Sequence, residues 1–515
     1  MSTVFGLIKR TAPLCLLVLV CAYSQAQVMQ TARTEFPLLA EDKEKFKAVN
    51  LDEDGLMLYR RAFGKTDDQI ELIRMDTSLR ETWRGNINIV KELTLALVRR
   101  SGDNIFMLLR QRNVIGGGFV IVALRTTNGT FTTYAVSNLI PFIPNEFEVT
   151  PQAALIGGYF NYRPIVVHFN FGTRQAKVLP GFFNEIGELD QMKTYADGSS
   201  DIVVCAKNFE KKKSLWIRNY DAQGDLLKTT VLEPEANKNL IFGRSVKLPN
   251  GDQVVAGVYG RFSDYSRGIF VAGINPMGEY AIRYYNFAEL KNFFSYMKAK
   301  RQKRVQDRIE RRTIRGKKIK FNYKLLIHDI IPYKNQYIMT GEAFYPKYIY
   351  PAGYHPANRS RIFYPSYAGL YNAPNQRGDL IFDGYQYTHA VVVGFDPNGK
   401  IKWDNSFEIN DVKSFQLEQF VKIKPEEDRI LMMYLFENSL RSKIIRDSNV
   451  IEGKSQGEMR PSAGSEELDT KGVENEQLDY WYGKYFYAYG VQKLRNKNIT
   501  GATRKIFFVN KIAYN

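Results

Sequence analysis

One short recurring pattern limits the fold of this chain more than any other feature. Four to seven β-rich residues lead into Asp or Asn and then into a turn, as at residues 215–221 (LWIRNYD) and 390–396 (AVVVGFD). Three copies continue into matching turns at residues 221–224 (DAQG), 275–278 (NPMG) and 396–399 (DPNG). Asp and Asn favour turn conformations and Gly accepts a positive φ, so each copy predicts a strand–turn–strand unit.

The pattern repeats along most of the chain. It occurs at residues 70–76, 119–126, 164–170, 215–221, 268–275 and 390–396, with a weaker seventh copy at 443–447. A second apolar strand precedes each copy, and the spacing is about 50 residues apart from one longer interval between Asn275 and Asp396. A repeat of this length with several short strands is typical of a β-propeller blade.

Residues 396–403 (DPNGKIKW) resemble the blade pattern of exported bacterial β-propeller repeat proteins, in which a strand is followed by D-x-x-G-x-x-x-W. Trp83 follows Asp76 at the same spacing that separates Trp403 from Asp396. The resemblance covers residues 46–446 and implies architecture only, without functional residues. We therefore predict an all-β fold, a β-propeller of about seven four-stranded blades over residues 46–515. Six or eight blades, or a pair of β-sandwich domains, are the alternatives.

The N-terminal residues 1–26 have the features of a signal peptide. Lys9 and Arg10 precede a short apolar stretch, and residues 24–26 (SQA) supply small residues for cleavage. An uncleaved anchor and lipidation at Cys21 are alternatives. Residues 27–45 are then an N-terminal extension, and Cys205 is the one cysteine of the mature chain. We predict an exported protein of the periplasm, the outer membrane or the cell surface.

Three insertions interrupt the predicted repeat, and the first, residues 290–320, is strongly basic. Residues 298–320 hold twelve Lys or Arg and two acidic residues, which is +10 of the formal net charge of +18. The stretch has no Pro or Gly from 293 to 314, which predicts a helix, and its charges lie on all sides, so we expect it to project into solvent. The predicted partner-binding residues are Lys298, Lys300, Arg301, Lys303, Arg304, Arg308, Arg311 and Arg312.

The partner expected for this insertion is an acidic envelope protein, with contact to an anionic membrane or to lipopolysaccharide phosphates as the alternative. A solvated helix without a partner is the simpler interpretation. Nucleic acid is not expected, because the chain is predicted to leave the cytoplasm.

The second insertion, residues 344–388, is rich in Tyr and Pro and is predicted to be a loop, because proline disrupts helices and central strands. Tyrosine is favoured in interfaces, so these aromatic residues either bind a partner or pack the loop onto its own scaffold. The predicted partner-binding residues here are Tyr345, Tyr348, Tyr350, Tyr354, Phe363, Tyr364, Tyr367 and Tyr371. The third insertion, residues 448–479, has eight acidic and three basic residues from Glu452 to Asp479 and is predicted to be a mobile loop.

No strong catalytic motif is present, and the four histidines are not at metal-ligand spacing. We predict no catalytic residue, no cofactor and no metal ligand, which favours a non-catalytic role without settling whether the protein is an enzyme. The predicted function is an interaction scaffold in the Gram-negative envelope, by analogy within an outer-membrane secretion, motility or surface-assembly complex. The alternative is a glycan-acting enzyme or glycan-binding module with a pocket near the propeller axis.

Overall fold

The computed structural model describes residues 28–39, 42–112, 117–137, 140–182, 186–261, 265–317, 319–349, 376–377, 380–469, 474–499 and 502–514. The predicted signal peptide lies outside these residues. The described strands form eight antiparallel sheets, which are the blades of a β-propeller and confirm the predicted fold class.

The strands are numbered from β1 (Val28–Pro37), and blades follow the order of the chain. Blade 1 contains β2 (Lys47–Asn50), β3 (Leu56–Ala62), β4 (Asp68–Met75) and β5 (Glu81–Ile89). Blade 2 contains β6 (Leu93–Ser101), β7 (Asn104–Gln111), β8 (Phe119–Arg125) and β9 (Phe131–Val136). Blade 3 contains β10 (Ile143–Val149), β11 (Ala153–Phe160), β12 (Arg163–Asn170) and β13 (Gln175–Val178). Blade 4 contains β14 (Gly187–Thr194), β15 (Ser200–Lys207), β16 (Lys213–Tyr220) and β17 (Leu226–Leu232).

Blade 5 contains β18 (Asn239–Lys247), β19 (Gln253–Gly260), β20 (Gly268–Ile274) and β21 (Tyr280–Asn286), and helix α1 (Ala299–Ile314) follows it. Blade 6 contains β22 (Lys324–Ile327), β23 (Ile331–Tyr333), β24 (Gln336–Ile349), β25 (Gln376–Arg377), β26 (Leu380–Phe395), β27 (Ile401–Glu408) and β28 (Lys413–Ser414). Blade 7 contains β29 (Lys422–Pro425), β30 (Ile430–Phe436), β31 (Ser439–Arg446) and β32 (Asn449–Glu458). Blade 8 contains β33 (Glu466–Leu468), β34 (Glu474–Tyr482), β35 (Tyr485–Asn496), β36 (Thr503–Tyr514) and β1.

The hydrophobic core is divided among the spaces between blades. The described residues form eight apolar clusters, and each joins two neighbouring blades, including blades 8 and 1. Successive side chains of a strand point to opposite faces, so a central strand supplies two clusters at once. On β15, Val203 and Cys205 pack towards blade 5, whereas Ile202 and Val204 pack towards blade 3. This double burial explains why the repeated strands are almost continuously apolar.

The predicted turns are confirmed in the third-to-fourth strand connections. The amide of Gly224 donates to the carbonyl of Asp221, and the carboxylate of Asp221 accepts from the amides of Gln223 and Asp225. Gly224 has a φ of 77°, in the region that favours glycine. The Asp therefore organises the turn and the Gly completes it.

The prediction of seven blades is wrong, because the ring has eight. Blade 8 is the one that the repeat pattern did not count. Its third strand, β36, ends at Tyr514 and is not followed by the Asp and turn that mark the other blades. Its fourth strand is β1, which pairs antiparallel with β36 from Val28 opposite Tyr514 to Pro37 opposite Ile506. Residues 28–37 are thus part of the propeller, not of an extension.

The predicted insertions are corrected at two places. Within residues 344–388, β24 runs to Ile349 and β26 starts at Leu380, so both ends are paired strands, with Pro346 beside a register shift. Within residues 448–479, β32, β33 and β34 are strands rather than a mobile loop. Strand β32 is the outermost strand of blade 7 and is mostly exposed, so a polar composition is compatible with strand pairing there.

Candidate functional sites

Helix α1 is held on the propeller by its connecting segments. Phe293 and Phe294 are buried in the cluster between blades 5 and 6. The carboxylate of Asp404 on β27 accepts hydrogen bonds from the amides of Lys291 (2.9 Å) and Asn292 (2.6 Å). The ring of Tyr296 stacks on His389 with centroids 3.7 Å apart. The basic insertion is therefore helical, as predicted, and rigidly attached.

Helix α1 faces solvent on most of its sides, as expected, but one side contacts the propeller. Val305 and Ile309, four residues apart, are half-buried and pack against the cluster between blades 5 and 6. An α-helix has 3.6 residues per turn, so these two side chains lie on one narrow apolar side. One side of the helix is consequently fixed on the propeller while the others face solvent.

The basic residues of α1 are concentrated on one flank rather than spread around it. Residues spaced by three or four positions share one side of a helix. The basic flank consists of Lys300, Arg301, Arg304, Arg308, Arg311 and Arg312, all of them exposed. Of the two acidic residues of the helix, Asp307 borders this flank, three positions from Arg304 and four from Arg311, whereas Glu310 lies outside it. Among the described residues, no side chain of the basic flank forms an ion pair, and only Arg311 makes a side-chain hydrogen bond, to the Asp307 carbonyl.

Two further predicted residues, Lys298 and Lys303, are exposed beside this flank, at the start of the helix and on its other side. The structure thus brings all eight predicted basic residues into one element. Their arrangement could have been recognised from the four-residue spacing of positions 300, 304, 308 and 312.

The predicted Tyr/Pro site is described only at its ends. Tyr345 is exposed, and Tyr348 is half-buried against Phe382, with ring centroids 5.9 Å apart. Nearer the blade, the buried Tyr387 donates a hydrogen bond to the Glu418 carbonyl at 2.9 Å. These contacts match the interpretation in which aromatic residues pack on their own scaffold. Tyr350, Tyr354, Phe363, Tyr364, Tyr367 and Tyr371 lie outside the described residues.

A group of charged residues that the sequence did not reveal lines the propeller axis. The first strands of several neighbouring blades contact each other there. The group consists of Arg99 on β6, Glu146 and Glu148 on β10, Arg244 on β18 and Asp329 between β22 and β23, and is termed the axial arc. Along β10, Phe147 is fully buried between blades while the two glutamates flanking it share the opposite side.

The axial arc is incompletely paired. Arg99 and Glu148 form an ion pair of 3.2 Å, whereas Nε of Arg244 is 3.9 Å from Asp329, too long for a hydrogen bond. Glu146 has no hydrogen bond or ion pair among the described residues. Burial raises the pKa of Glu146 although Arg244 and Arg99 oppose the shift. Burial likewise raises the pKa of Glu148.

Polar groups on the other side of the ring are better matched. Glu418, next to blade 7, accepts from Gln477 of β34 at 3.1 Å and from Ser414 at 2.8 Å. Lys422 lies 3.6 Å from Asp479 of blade 8. Glu418 and Lys422 thus have partners in blade 8, whereas Glu146 of the axial arc has no side-chain partner among the described residues.

His328, His389 and Cys205 lie in structural surroundings. His389 is buried, and burial lowers its pKa to about 3, so it stays neutral. His328 approaches Glu342 at 3.6 Å, and that carboxylate accepts from the amide of Val421 at 2.6 Å. Cys205 is buried between blades 4 and 5. Within the described ranges, no three His, Cys, Asp or Glu side chains are grouped to hold a metal ion.

No characterised protein family and no curated protein sequence matches this chain. Several solved structures resemble this chain weakly, at about 10% sequence identity. Polysaccharide lyase Uly1 is 10% identical over 83% of this chain and 91% of its own, with a TM-score of 0.40. The β-propeller domain of the Trilobed protease from Pyrococcus furiosus is 10% identical over 82% and 94%, with a TM-score of 0.34. These similarities concern the fold and carry no argument about function.

A search of the described residues for helices long and apolar enough to cross a membrane finds none.

Proposed function

We propose that this protein is an exported, non-catalytic β-propeller scaffold that docks an acidic protein of the Gram-negative envelope through the basic flank of α1. The observation that carries the proposal is the basic flank itself. Its six exposed cationic side chains have no carboxylate partner among the described residues, on a helix fixed to the ring. Within a folded protein, exposed charges usually occur with both signs interspersed, so a one-sign row is suited to a complementary surface.

The rigid seating of α1 contributes to this role. A helix ordered before binding loses less conformational entropy on association than a flexible basic tail would. Charge of one sign also speeds encounter with an oppositely charged partner, and this effect weakens with ionic strength. The predicted signal peptide supports an envelope location, in which a secretion, motility or surface-assembly complex supplies the partner.

Co-purification of the partner with charge variants of α1 tests this docking. The tagged protein is purified from detergent-solubilised envelopes and compared with the variant K300Q/R304Q/R308Q/R312Q. Its control is K65Q/K207Q/K211Q/K400Q, which removes four exposed lysines without ion pairs among the described residues. We expect a stoichiometric partner that is lost with the first variant and retained with the control. The same partner yield from both variants would refute the proposal.

The Tyr/Pro segment is tested separately. Deleting all of residues 344–388 would remove buried strand residues such as Phe344 and Tyr387 and damage blade 6. Replacing only residues 350–375 by a short Gly/Ser linker keeps Ile349 and Gln376, which both pair with Ile381. Loss of the partner from this variant would assign the anchoring role to the segment, and full retention would exclude it.

The axial arc supports a second candidate, a glycan-binding or glycan-acting site. A half-buried carboxyl group with a raised pKa, such as Glu146, is able to donate a proton to a leaving group. The test is hydrolysis or binding of envelope glycans by the wild type and by E146Q. Activity that is lost in E146Q would establish this candidate, and an inert wild type would remove it.

A further inference from the structure

A pocket with a volume of about 180 Å³ opens between blades 1 and 2. This volume is below the roughly 300–1,000 Å³ of sites for drug-sized ligands, so the pocket suits only a small ion or molecule. It is lined by residues of the segment before β2, of β2 itself, of β3 and of β6. The lining residues are Glu44, Lys45, Lys47, Tyr59, Arg60, Arg61 and residues 95–99.

A strand irregularity helps to form the pocket. The pairing of β6 with β7 shifts register between Leu95 and Leu97, so Ala96 is an extra residue in the ladder. Such a bulge bends the strand and leaves a peptide group without its usual partner. The pocket therefore meets a stretch of backbone whose polar groups are not all used in the sheet.

The charged lining is strongly asymmetric, with five basic side chains and one carboxyl group. Three of the basic groups, Arg60, Arg61 and Arg99, pair with carboxylates of the chain, Arg99 with Glu148 at 3.2 Å. Arg60 pairs with Glu71 at 2.7 Å, and the buried Arg61 pairs with Asp68. Burial raises the pKa of Glu44, the one carboxyl group of the lining.

Two lining side chains make no ion pair or hydrogen bond within the described residues. The first is the exposed Lys47, whose ammonium group opposes the rise in the pKa of Glu44 without forming an ion pair with it. The hydroxyl group of the half-buried Tyr59 likewise has no hydrogen bond within the described residues. Burial raises the pKa of Tyr59, so this hydroxyl stays protonated and available as a donor. Arg99 lies at the axial end, where Nε contacts Glu148.

We propose that this pocket binds a small anionic ligand, a carboxylate or a phosphate, through the ammonium group of Lys47 and the hydroxyl group of Tyr59. An ammonium group and a phenolic hydroxyl both donate to anionic oxygens, and hydrogen bonds with a charged partner are stronger than neutral ones. Arg99 adds positive potential from the axial side. The site is independent of the basic flank of α1 and does not rest on the proposed docking function.

The test is isothermal titration calorimetry of the full chain with inorganic phosphate, with glucuronate and, as the uncharged counterpart, with glucose. We expect saturable binding of at least one anion and none of glucose. K47Q is expected to weaken anion binding by about tenfold or more, and Y59F by about threefold to tenfold, as typical of charged hydrogen bonds. K43Q, which changes an exposed lysine outside the lining, is the matched control and should bind as the wild type does.

The two anions identify the source of the ligand chemistry. Binding of phosphate alone indicates a phosphorylated ligand, and binding of glucuronate alone indicates a carboxylated one. Thermal unfolding midpoints of K47Q and Y59F close to that of the wild type show that the variants are folded. The proposal is overturned if neither anion binds saturably, or if K47Q and K43Q weaken binding equally.

Discussion

The indole Nε1 of Trp481 donates a hydrogen bond of 3.1 Å to the backbone carbonyl of Gly55, although the two residues are 426 positions apart. Trp481 lies on β34 of blade 8, and Gly55 directly precedes β3 of blade 1. Gly55 has a φ of 107°, and a Cβ there would lie 1.9 Å from the carbonyl oxygen of Met75, so no other residue fits. This contact, with β1 completing blade 8, closes the ring.

Replacing Trp481 by Phe should therefore destabilise the ring. The change removes the hydrogen bond and leaves a cavity around a fully buried side chain, and together we expect a loss of about 2–4 kcal/mol in the free energy of unfolding. The control is W216F, because Nε1 of Trp216 has no hydrogen-bond partner within the described residues. Urea denaturation measures both. Equal losses for the two variants would contradict a specific closing role of Trp481.

We predict that acid weakens the contacts that hold β1 in blade 8. Glu35 on β1 accepts from the amide of Ser462 and pairs with Arg33 (2.7 Å) and Arg504 (2.6 Å). Burial alone would raise the pKa of Glu35, but these contacts lower it below its ordinary value. Its contribution to stability is thus present above the ordinary pKa of a glutamate and is lost as the pH falls through the lowered pKa.

E35Q should accordingly destabilise the protein at neutral pH, with a difference from the wild type that shrinks in acid. The measurement is the urea midpoint of both proteins from pH 7 downwards. E53Q is the control, since Glu53 is exposed and has no ion pair within the described residues. A difference that stays constant with pH would show that the Glu35 contacts do not act through its charge.

Glu476 predicts the opposite dependence on pH. Its carboxylate accepts from the Asn438 amide at 3.0 Å, and burial raises its pKa to about 7. The folded state holds this proton more tightly than the unfolded state, so the contribution to stability is present at low pH. It is lost as the pH rises from the ordinary value of 4.5 towards 7. The stability of E476Q relative to the wild type should rise across this interval, and parallel stability curves would contradict the assignment.

Much of the fold could be predicted from local chemistry. Turns such as residues 221–224 depend on an Asp and a Gly three positions apart, and the two-faced burial of β15 gives an apolar run that is visible in the sequence. The eighth blade could not be counted from turn motifs. Its last strand, β1, pairs with β36 but is far from it in sequence, so no turn connects the two strands. Proline does not exclude strand pairing next to Tyr345, because Pro346 is accommodated at a register shift in a paired strand.

The sites were less predictable, because they depend on contacts between residues that are distant in the sequence. Arg244 and Asp329 meet only because their blades surround one axis, and the pocket beside Tyr59 depends on a bulge at Ala96 that no sequence motif marks. The basic flank was within reach of the sequence, because its spacing follows the helical period. Its attachment through Val305 and Ile309 was missed because two apolar residues form too narrow a stripe to stand out.

The most direct test of the docking account rearranges the helix charges without changing their number. The variant R304Q/Q306R/R312T/T313R moves two positive charges off the basic flank while the composition of α1 stays the same. Co-sedimentation of purified protein with isolated envelopes, at low and at high salt, measures binding, and envelopes stripped of exposed protein by protease show whether the partner is a protein. We predict wild-type binding that weakens with salt and needs the exposed envelope protein, and an affinity about tenfold lower for the rearranged variant. Equal binding of the two proteins, or undiminished binding to stripped envelopes, would contradict the account.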